Sequence, residues 1–124
     1  MKKLPDAEFE VMNAIWALEP PATTAALMRD LGRAKGWKAP ALITLLNRLI
    51  ERGFLRSEKH QKEREYYFLM DKEEYLCFET EGFLRRYHGD SLTSLMASLT
   101  GSHELSDAQL EELIRWAKER SEAK

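Results

Sequence analysis

Three polar side chains along one stretch of the sequence, KAPALITLLNRLIERGF, are of types that hydrogen-bond to the bases of DNA. Thr44, Asn47 and Arg48 carry a hydroxyl, a carboxamide and a guanidinium, and in the major groove Asn pairs with adenine and Arg with guanine. Ala41 and Ile43 beside them offer apolar groups to thymine methyls. The candidates for base contact are Pro40, Ala41, Ile43, Thr44, Asn47 and Arg48. The stretch therefore predicts a recognition helix for the major groove.

The same stretch also has the apolar residues needed to hold such a helix in place. They follow the i, i+3, i+4, i+7, i+8 spacing of an amphipathic helix, which puts the polar candidates on the opposite face. Pro40 suits the first turn of a helix, and Gly53 is typical of a helix end. The apolar residues are Leu42, Leu45, Leu46, Leu49 and Ile50. We expect a helix that docks by one face and leaves the other free.

Positive charge is concentrated around this helix, although the whole chain has a formal net charge of −2. Residues 29–64 contain 10 Lys and Arg against 4 Asp and Glu. Hydroxyls and free N–H groups at the start of a second helix, and cations at the tip of a hairpin, are groups that contact DNA phosphates. The candidates for phosphate contact are Thr23, Thr24, Lys38, Lys59, Lys62 and Arg64. This distribution favours nucleic acid as the partner.

Catalytic, metal and membrane functions find little support in the sequence. His60, His88 and His103 lack the spacing of metal ligands or of a catalytic triad, and we expect each at the surface. The single cysteine, Cys77, excludes an internal disulfide and is expected to be a small core residue. No apolar run approaches the roughly 20 residues of a membrane span, and the N-terminus lacks the apolar part of a secretory signal. We expect a cytoplasmic protein that is not an enzyme, with no cofactor, no metal and no membrane insertion.

The order of elements points to one fold class. Helical patterns over about residues 6–18 and up to Gly32 precede the recognition helix. The segments FLRSEK and EYYFLM, separated by the polar residues 60–64, then predict a β-hairpin. Three helices followed by a hairpin is the order of a winged helix. The expected fold is mainly α with a small β-hairpin wing, and residues 1–70 form the winged helix-turn-helix DNA-binding domain.

Residues 71–124 contain three more helical patterns, which we expect to form a helical dimerisation domain. Asp71–Glu74 and Ser106–Gln109 have the spacing of capping boxes, and Ser91 can cap the helix between them. Short helices with apolar stripes are marginal alone, and a second copy would cover the stripes around a two-fold axis. The dimerisation candidates are Leu76, Phe83, Tyr87, Leu92, Leu95, Met96, Leu99, Leu110, Leu113 and Ile114. The alternative is a tail that folds back on its own winged domain.

Five segments, taken together, resemble the penicillinase-repressor family (BlaI/MecI/CopY). They are LPDAEFEVMNAIW, the GW before the recognition helix, TLLNRLIERGF, YYF and LSDAQLEELI, and Thr44, Asn47, Arg48, Gly53 and Tyr67 match the family pattern. The resemblance implies a dimeric winged-helix repressor that binds a palindromic double-stranded DNA operator. Members control genes for a β-lactamase, an altered penicillin-binding protein or copper export. In the antibiotic branch, a membrane sensor triggers proteolysis of the repressor.

The chain departs from that family pattern at three places. The recognition helix begins Lys38-Ala39-Pro40-Ala41-Leu42-Ile43, so the proline is displaced by one position and Ile43 replaces a basic residue. Either a different operator preference or weak DNA binding is expected. The cleavage position of the family, an Asn-Phe bond, corresponds to Ser98-Leu99 here, which argues against control by cleavage. The C-terminal cysteines of the copper branch are missing, which argues against copper sensing.

Two other functions remain open at this point. Ile43, Glu51 and the near-neutral overall charge also fit a winged-helix protein-interaction module with weak or no DNA binding. The second alternative is a regulator that binds an effector between the winged domain and the tail.

Overall fold

The computed structural model describes residues 1–102 and 105–122, which form a mainly helical chain with one small sheet. A π-helical segment, Met28–Gly32, joins the second and third helices. The helices are α1 (Asp6–Ala17), α2 (Thr24–Leu27), α3 (Arg33–Lys35), α4 (Ala39–Glu51), α5 (Lys72–His88), α6 (Leu92–Ser102) and α7 (Asp107–Glu122). The strands are β1 (Ala22–Thr23), β2 (Leu55–His60) and β3 (Glu63–Phe68). Within the described residues, no helix is long and apolar enough to cross a membrane.

The second helical element consists of α2, the π-helical segment and α3, and spans residues 24–35. It runs further than the sequence indicated. Thr23 caps it, because its Oγ1 accepts a hydrogen bond from the Ala26 N–H at 3.1 Å. The expected end at Gly32 is wrong, since the helix continues to Lys35 and ends at Gly36 with φ +70°. Gly32 itself has helical backbone angles, and a Cβ there would lie 3.0 Å from Cε of Met28. Gly32 therefore lies inside the helix, and Gly36 is the glycine that ends it.

The sheet is antiparallel, with strand order β1-β3-β2. Its strands reach further toward the hairpin tip than expected, because His60 pairs with Glu63 and only Gln61 and Lys62 form the turn. Gln61 adopts a φ of +60°, a conformation that a turn usually assigns to Gly or Asn. The sequence therefore predicted the hairpin but not its two-residue turn, because the residues of the tip are polar and carry no turn signal. The two-residue strand β1, which pairs with β3, had no signal in the sequence.

The compact unit that contains the sheet extends from Met1 to Glu79. Its core includes Tyr75 of α5, whose ring contacts a set of aromatic residues, namely Phe9, Trp16, Phe54 and Phe78. The Leu4 N–H donates a 2.8 Å hydrogen bond to the Tyr75 hydroxyl, and burial raises the pKa of Tyr75 to about 12. The first turns of α5 therefore belong to the same core as α1 and α4. The functional division at residues 1–70 and 71–124 stays a prediction.

The helix caps expected in the second half of the chain are present. The Glu74 N–H donates to Asp71 Oδ1 at 2.8 Å, and the Ser94 N–H donates to Ser91 Oγ at 3.1 Å. Ser106 and Gln109 bond reciprocally at 2.9 and 3.2 Å, which completes a capping box.

One expectation for this half of the chain is wrong. Cys77 is exposed rather than a core residue, because it lies on the outer side of α5, away from the buried Tyr75. The helix α6 includes Gly101. The surface expectation for His103 falls outside the described residues.

Candidate nucleic-acid interface

The helix α4 is fixed by one face and open on the other. Leu42, Leu46 and Leu49 are fully buried in the core beside α1, and Pro40 lies in the first turn after the extended Lys38. All six candidates for base contact are exposed: Pro40, Ala41, Ile43, Thr44, Asn47 and Arg48. The core therefore holds the backbone of α4 while the candidate side chains point outward.

The exposed side chains of α4 form two parallel rows, because residues four apart lie on the same face of a helix. Ile43 and Asn47 make one row, and Thr44 and Arg48 make the other. The Thr44 hydroxyl donates to the Pro40 carbonyl at 3.0 Å, so its oxygen keeps only acceptor capacity for another partner. Arg48 is in no ion pair with any residue that the structure describes.

An open cleft of about 690 Å³ lies between α4 and the hairpin β2–β3, which forms the wing. Asn47 and Ile43 line it on one side, and Lys62, Glu63 and Arg64 line it on the other. Thr24 of the second helical element also borders it. The structure thus brings together five residues that the sequence suggested from three separate segments.

The wing separates its charges onto two faces. Side chains alternate across a strand, so Ser57 and Lys59 share one face with Arg64, and the Arg64 guanidinium donates to Ser57 Oγ at 2.9 Å. Glu58 and Glu65 lie opposite each other on the second face. Arg64 of the basic face lines the cleft, and so does Glu63, which belongs to the second face.

The second face of the wing is held by its own contacts. The guanidinium of Arg56 lies 4.1 Å from the centre of the Tyr67 ring and also bonds to Glu58 at 2.6 Å. These contacts stabilise the strand pair without using the cations that border the cleft.

Four of the phosphate candidates are exposed: Lys38, Lys59, Lys62 and Arg64. Thr23 and Thr24 are half-buried, and the oxygen of Thr23 already accepts the capping bond from Ala26. Lys38 and Lys59 lie outside the lining of the cleft. The structure therefore places Lys62, Arg64 and Thr24 nearest to the recognition face.

An ion pair that sequence reasoning missed ties α1 to the end of α4. Glu8 is 2% exposed, and its Oε1 accepts a 2.6 Å hydrogen bond from Nε of Arg52. A second bond joins Arg52 Nη2 to Glu8 Oε2 at 3.4 Å. The signal was present in the sequence, because Glu8 occupies the same helical stripe as the buried Val11, Met12 and Ile15. A carboxylate in a buried stripe predicts a cationic partner.

Most of the dimerisation candidates are exposed in this chain, and they lie on α5, α6 and α7. Leu95 and Met96 are half-buried, and the rest are exposed, as is Trp116, which the sequence reasoning left out. The exposed candidates are Leu76, Phe83, Tyr87, Leu92, Leu99, Leu110, Leu113 and Ile114. Ser98 and Leu99, which the resemblance predicted to correspond to a cleavage position, are both exposed within α6.

Comparison with known proteins places the chain among bacterial repressors. The family model described as penicillinase repressor matches residues 4–119. The penicillinase repressor of Bacillus licheniformis is 29% identical over 127 residues, which cover 100% of this chain and 98% of that protein. The methicillin resistance regulatory protein MecI of Staphylococcus aureus (strain N315) is 27% identical over 111 residues, which cover 90% of this chain and 89% of that protein.

Two solved structures are similar to the winged part of the chain. The solution structure of the DNA-binding domain of the repressor BlaI is 32% identical with a TM-score of 0.53, and the match covers 60% of this chain and 94% of that one. The monomeric form of Bacillus licheniformis BlaI, solved in complex with the blaP half-operator, is 30% identical with a TM-score of 0.51, and covers 60% and 89%. The winged-helix fold expected from the sequence is confirmed. The chain belongs to the penicillinase repressor family.

Proposed function

We propose that this chain is a transcriptional repressor that binds operator DNA in a sequence-specific manner. The observation that carries the proposal is the arrangement around α4, whose exposed polar face borders the same cleft as the basic face of the wing. The relative BlaI, similar over 60% of this chain, was solved in complex with a half-operator. The likeness to that structure supports the same mode of binding here.

The chemistry of the two surfaces supports a division of roles. The major groove is about 12 Å wide and admits an α-helix, so Asn47 and Arg48 can reach the edges of adenine and guanine. Lys62 and Arg64, on the wing, are suited to phosphate oxygens, which give affinity without sequence information. Thr24 can add a hydroxyl contact to the same backbone. Specificity would then come from α4, and most of the salt-dependent affinity from the wing.

The repressor is proposed to act as a homodimer on a palindromic site in the cytoplasm. Apolar side chains of α5, α6 and α7 remain exposed in the single chain, and a second copy would remove them from water. A two-fold dimer presents two copies of α4 to half-sites about one helical turn apart. A gene for a membrane sensor protease beside this one would support control of genes of the β-lactam-resistance type.

A retardation assay with duplexes from the chain's own promoter tests this function. We expect binding that weakens steeply as salt rises, because each phosphate contact releases counterions. Arg48→Ala should weaken binding to the preferred duplex by about 5- to 150-fold, the loss of a contact worth about 1–3 kcal/mol, and affect random duplexes much less. Lys72→Ala, which removes an exposed cation at the start of α5, is the control and should change binding little.

Three outcomes of that assay would each be informative. Equal loss on all sequences with Arg48→Ala would assign Arg48 to phosphate contact and contradict its role in specificity. Failure to retard any duplex at low salt would contradict the proposal and favour a protein-interaction module. Retardation that depends on an added small molecule would favour an effector-sensing regulator.

A further inference from the structure

The side chain of Ile43 is the large apolar group on the outward face of α4. It is 42% exposed, whereas the other large apolar side chains of this helix are buried or half-buried against the core. A single exposed isoleucine is ordinary on a protein surface and by itself indicates nothing. Ile43, however, lines the cleft between α4 and the wing, and it does so together with Asn47. An apolar group is therefore presented at the surface proposed to meet bases.

The spacing of Ile43 and Asn47 relates their positions on DNA. Four residues of α-helix advance about 6 Å along the helix axis, and successive base pairs are about 3.4 Å apart. A helix lying along the groove would therefore place the two side chains over bases about two steps apart. Both belong to the row of α4 that lines the cleft, next to the row of Thr44 and Arg48.

The chemistry of Ile43 restricts what it can contact favourably. An isoleucine side chain has no hydrogen-bond donor or acceptor, and the major-groove edges of the bases carry one apolar group, the C5 methyl of thymine. Against any other base edge, Ile43 would remove water from donors and acceptors without replacing their hydrogen bonds. A thymine methyl is thus the partner that an isoleucine favours at this position.

We propose that Ile43 is a specificity-determining residue that contacts the C5 methyl of a thymine. With Asn47 on adenine, the preferred half-site contains a thymine and an adenine within about two steps of each other. This inference rests on the proposed function, since it requires α4 to lie in the major groove.

Replacement of thymine by deoxyuridine tests the contact directly, because the two bases differ only by the methyl group. The full chain is first used to select its preferred duplex from a random-sequence pool, and each thymine of that duplex is then replaced singly. At one thymine in each half-site we expect the dissociation constant to rise about fourfold, the effect of removing one buried methyl-sized group. The other thymines should tolerate the replacement.

Variants of the protein assign that effect to Ile43. Ile43→Ala should bind the thymine and deoxyuridine duplexes equally well, and Ile43→Val should keep part of the preference. Leu69→Ala removes another exposed aliphatic side chain, one that does not line the cleft, and should keep the full preference. Thermal unfolding of each variant checks that the fold is retained.

The results separate this inference from the function on which it rests. A pool that yields no enriched sequence contradicts sequence-specific binding itself. An enriched duplex without thymine in its recognised positions overturns the inference and leaves the repressor function standing. The inference is also overturned if no replacement of thymine by deoxyuridine changes the dissociation constant. The same holds if the change is as large with Ile43→Ala as with the wild type.

Discussion

The helices α4 and α7 carry the same kind of apolar stripe, but only the stripe of α4 is buried within the chain. Leu42, Leu46 and Leu49 of α4 are each 0% exposed, whereas Leu113 of α7 is 41% exposed and Ile114 is 56% exposed. The stripe of α4 has α1 and the wing to pack against. An amphipathic pattern therefore predicts a face that will be buried, but not which chain will bury it. We propose that the apolar stripe of α4 is buried within a single chain, whereas that of α7 is buried against a second copy of the chain.

The largest effect is expected in the core behind α4. Leu46→Ala removes a fully buried side chain and leaves a cavity, so the free energy of unfolding should fall by about 2–5 kcal/mol. Urea denaturation of the purified chain measures this. Leu110→Ala, on the exposed stripe of α7, is the matched control and should have much less effect on the unfolding of the winged part. Similar losses for both variants would show that the two stripes are equally buried in solution.

A charge on the tail should separate the proposed dimer. Ile114→Asp places a carboxylate in a stripe that a second copy would cover, and desolvation of that charge opposes association. We expect the dimer dissociation constant to rise at least about 100-fold, or about 2.7 kcal/mol. Sedimentation measures the dissociation constant, with Glu119→Gln as a control at an exposed position of α7. A wild-type chain that is a monomer at all concentrations would contradict the dimer.

The buried carboxylate of α1 should make the fold depend on Arg52. Arg52→Ala leaves Glu8 buried without its partner, and we expect a loss of about 2 kcal/mol, less than for a fully buried pair because Arg52 is in contact with water. The double variant Glu8→Gln with Arg52→Ala should recover part of the loss. Chemical denaturation at neutral pH provides the comparison. Equal stability of Arg52→Ala and the wild type would show that the pair contributes nothing.

The hydroxyl of Tyr75 should give the winged unit a stability limit at high pH. Its pKa is raised to about 12 in the folded chain from 10.0, so the unfolded chain loses the proton first. Its contribution is present below about pH 10 and lost as the pH rises toward 12. Tyr75→Phe should lower stability by about 1 kcal/mol at pH 8, because the bond to Leu4 is lost. The gap to the wild type should narrow above pH 10, and a constant gap would contradict this assignment.

The smallest effect is expected at the wing, where stability and DNA binding should change in opposite directions. Lys59 and Arg64 lie directly opposite each other with the same charge, a pairing that costs a few tenths of a kcal/mol. Lys59→Ala should therefore raise the melting temperature slightly while it weakens DNA binding at low salt. Glu58→Ala, on the other face of the wing, is the control and should not weaken binding. A loss of stability in Lys59→Ala would show that the repulsion is absent.

The sequence predicted the elements whose signals are local. The leucine spacing located α4, and the caps at Asp71, Ser91 and Ser106 located the starts of α5, α6 and α7. The sequence also predicted that a hairpin follows α4 along the chain. In a winged helix these two elements lie side by side, so their proximity follows from the fold.

The features that the sequence did not reveal depend on contacts between distant residues. Tyr75 is 71 residues from its partner Leu4, and Glu8 is 44 residues from Arg52. The tight turn at Gln61 was hidden for a different reason, because it uses a residue that carries no turn signal. The base and phosphate contacts stay predictions, because their partner lies outside the chain.

Amide chemical shifts of the isotope-labelled chain, followed during titration with its preferred duplex, show directly whether α4 meets the DNA. We expect the largest changes in α4 and at the tip of the wing, from Lys59 to Arg64, with smaller changes at Thr24. Changes confined to α5, α6 and α7, or none at saturating duplex, would contradict the assignment of α4 as the recognition helix.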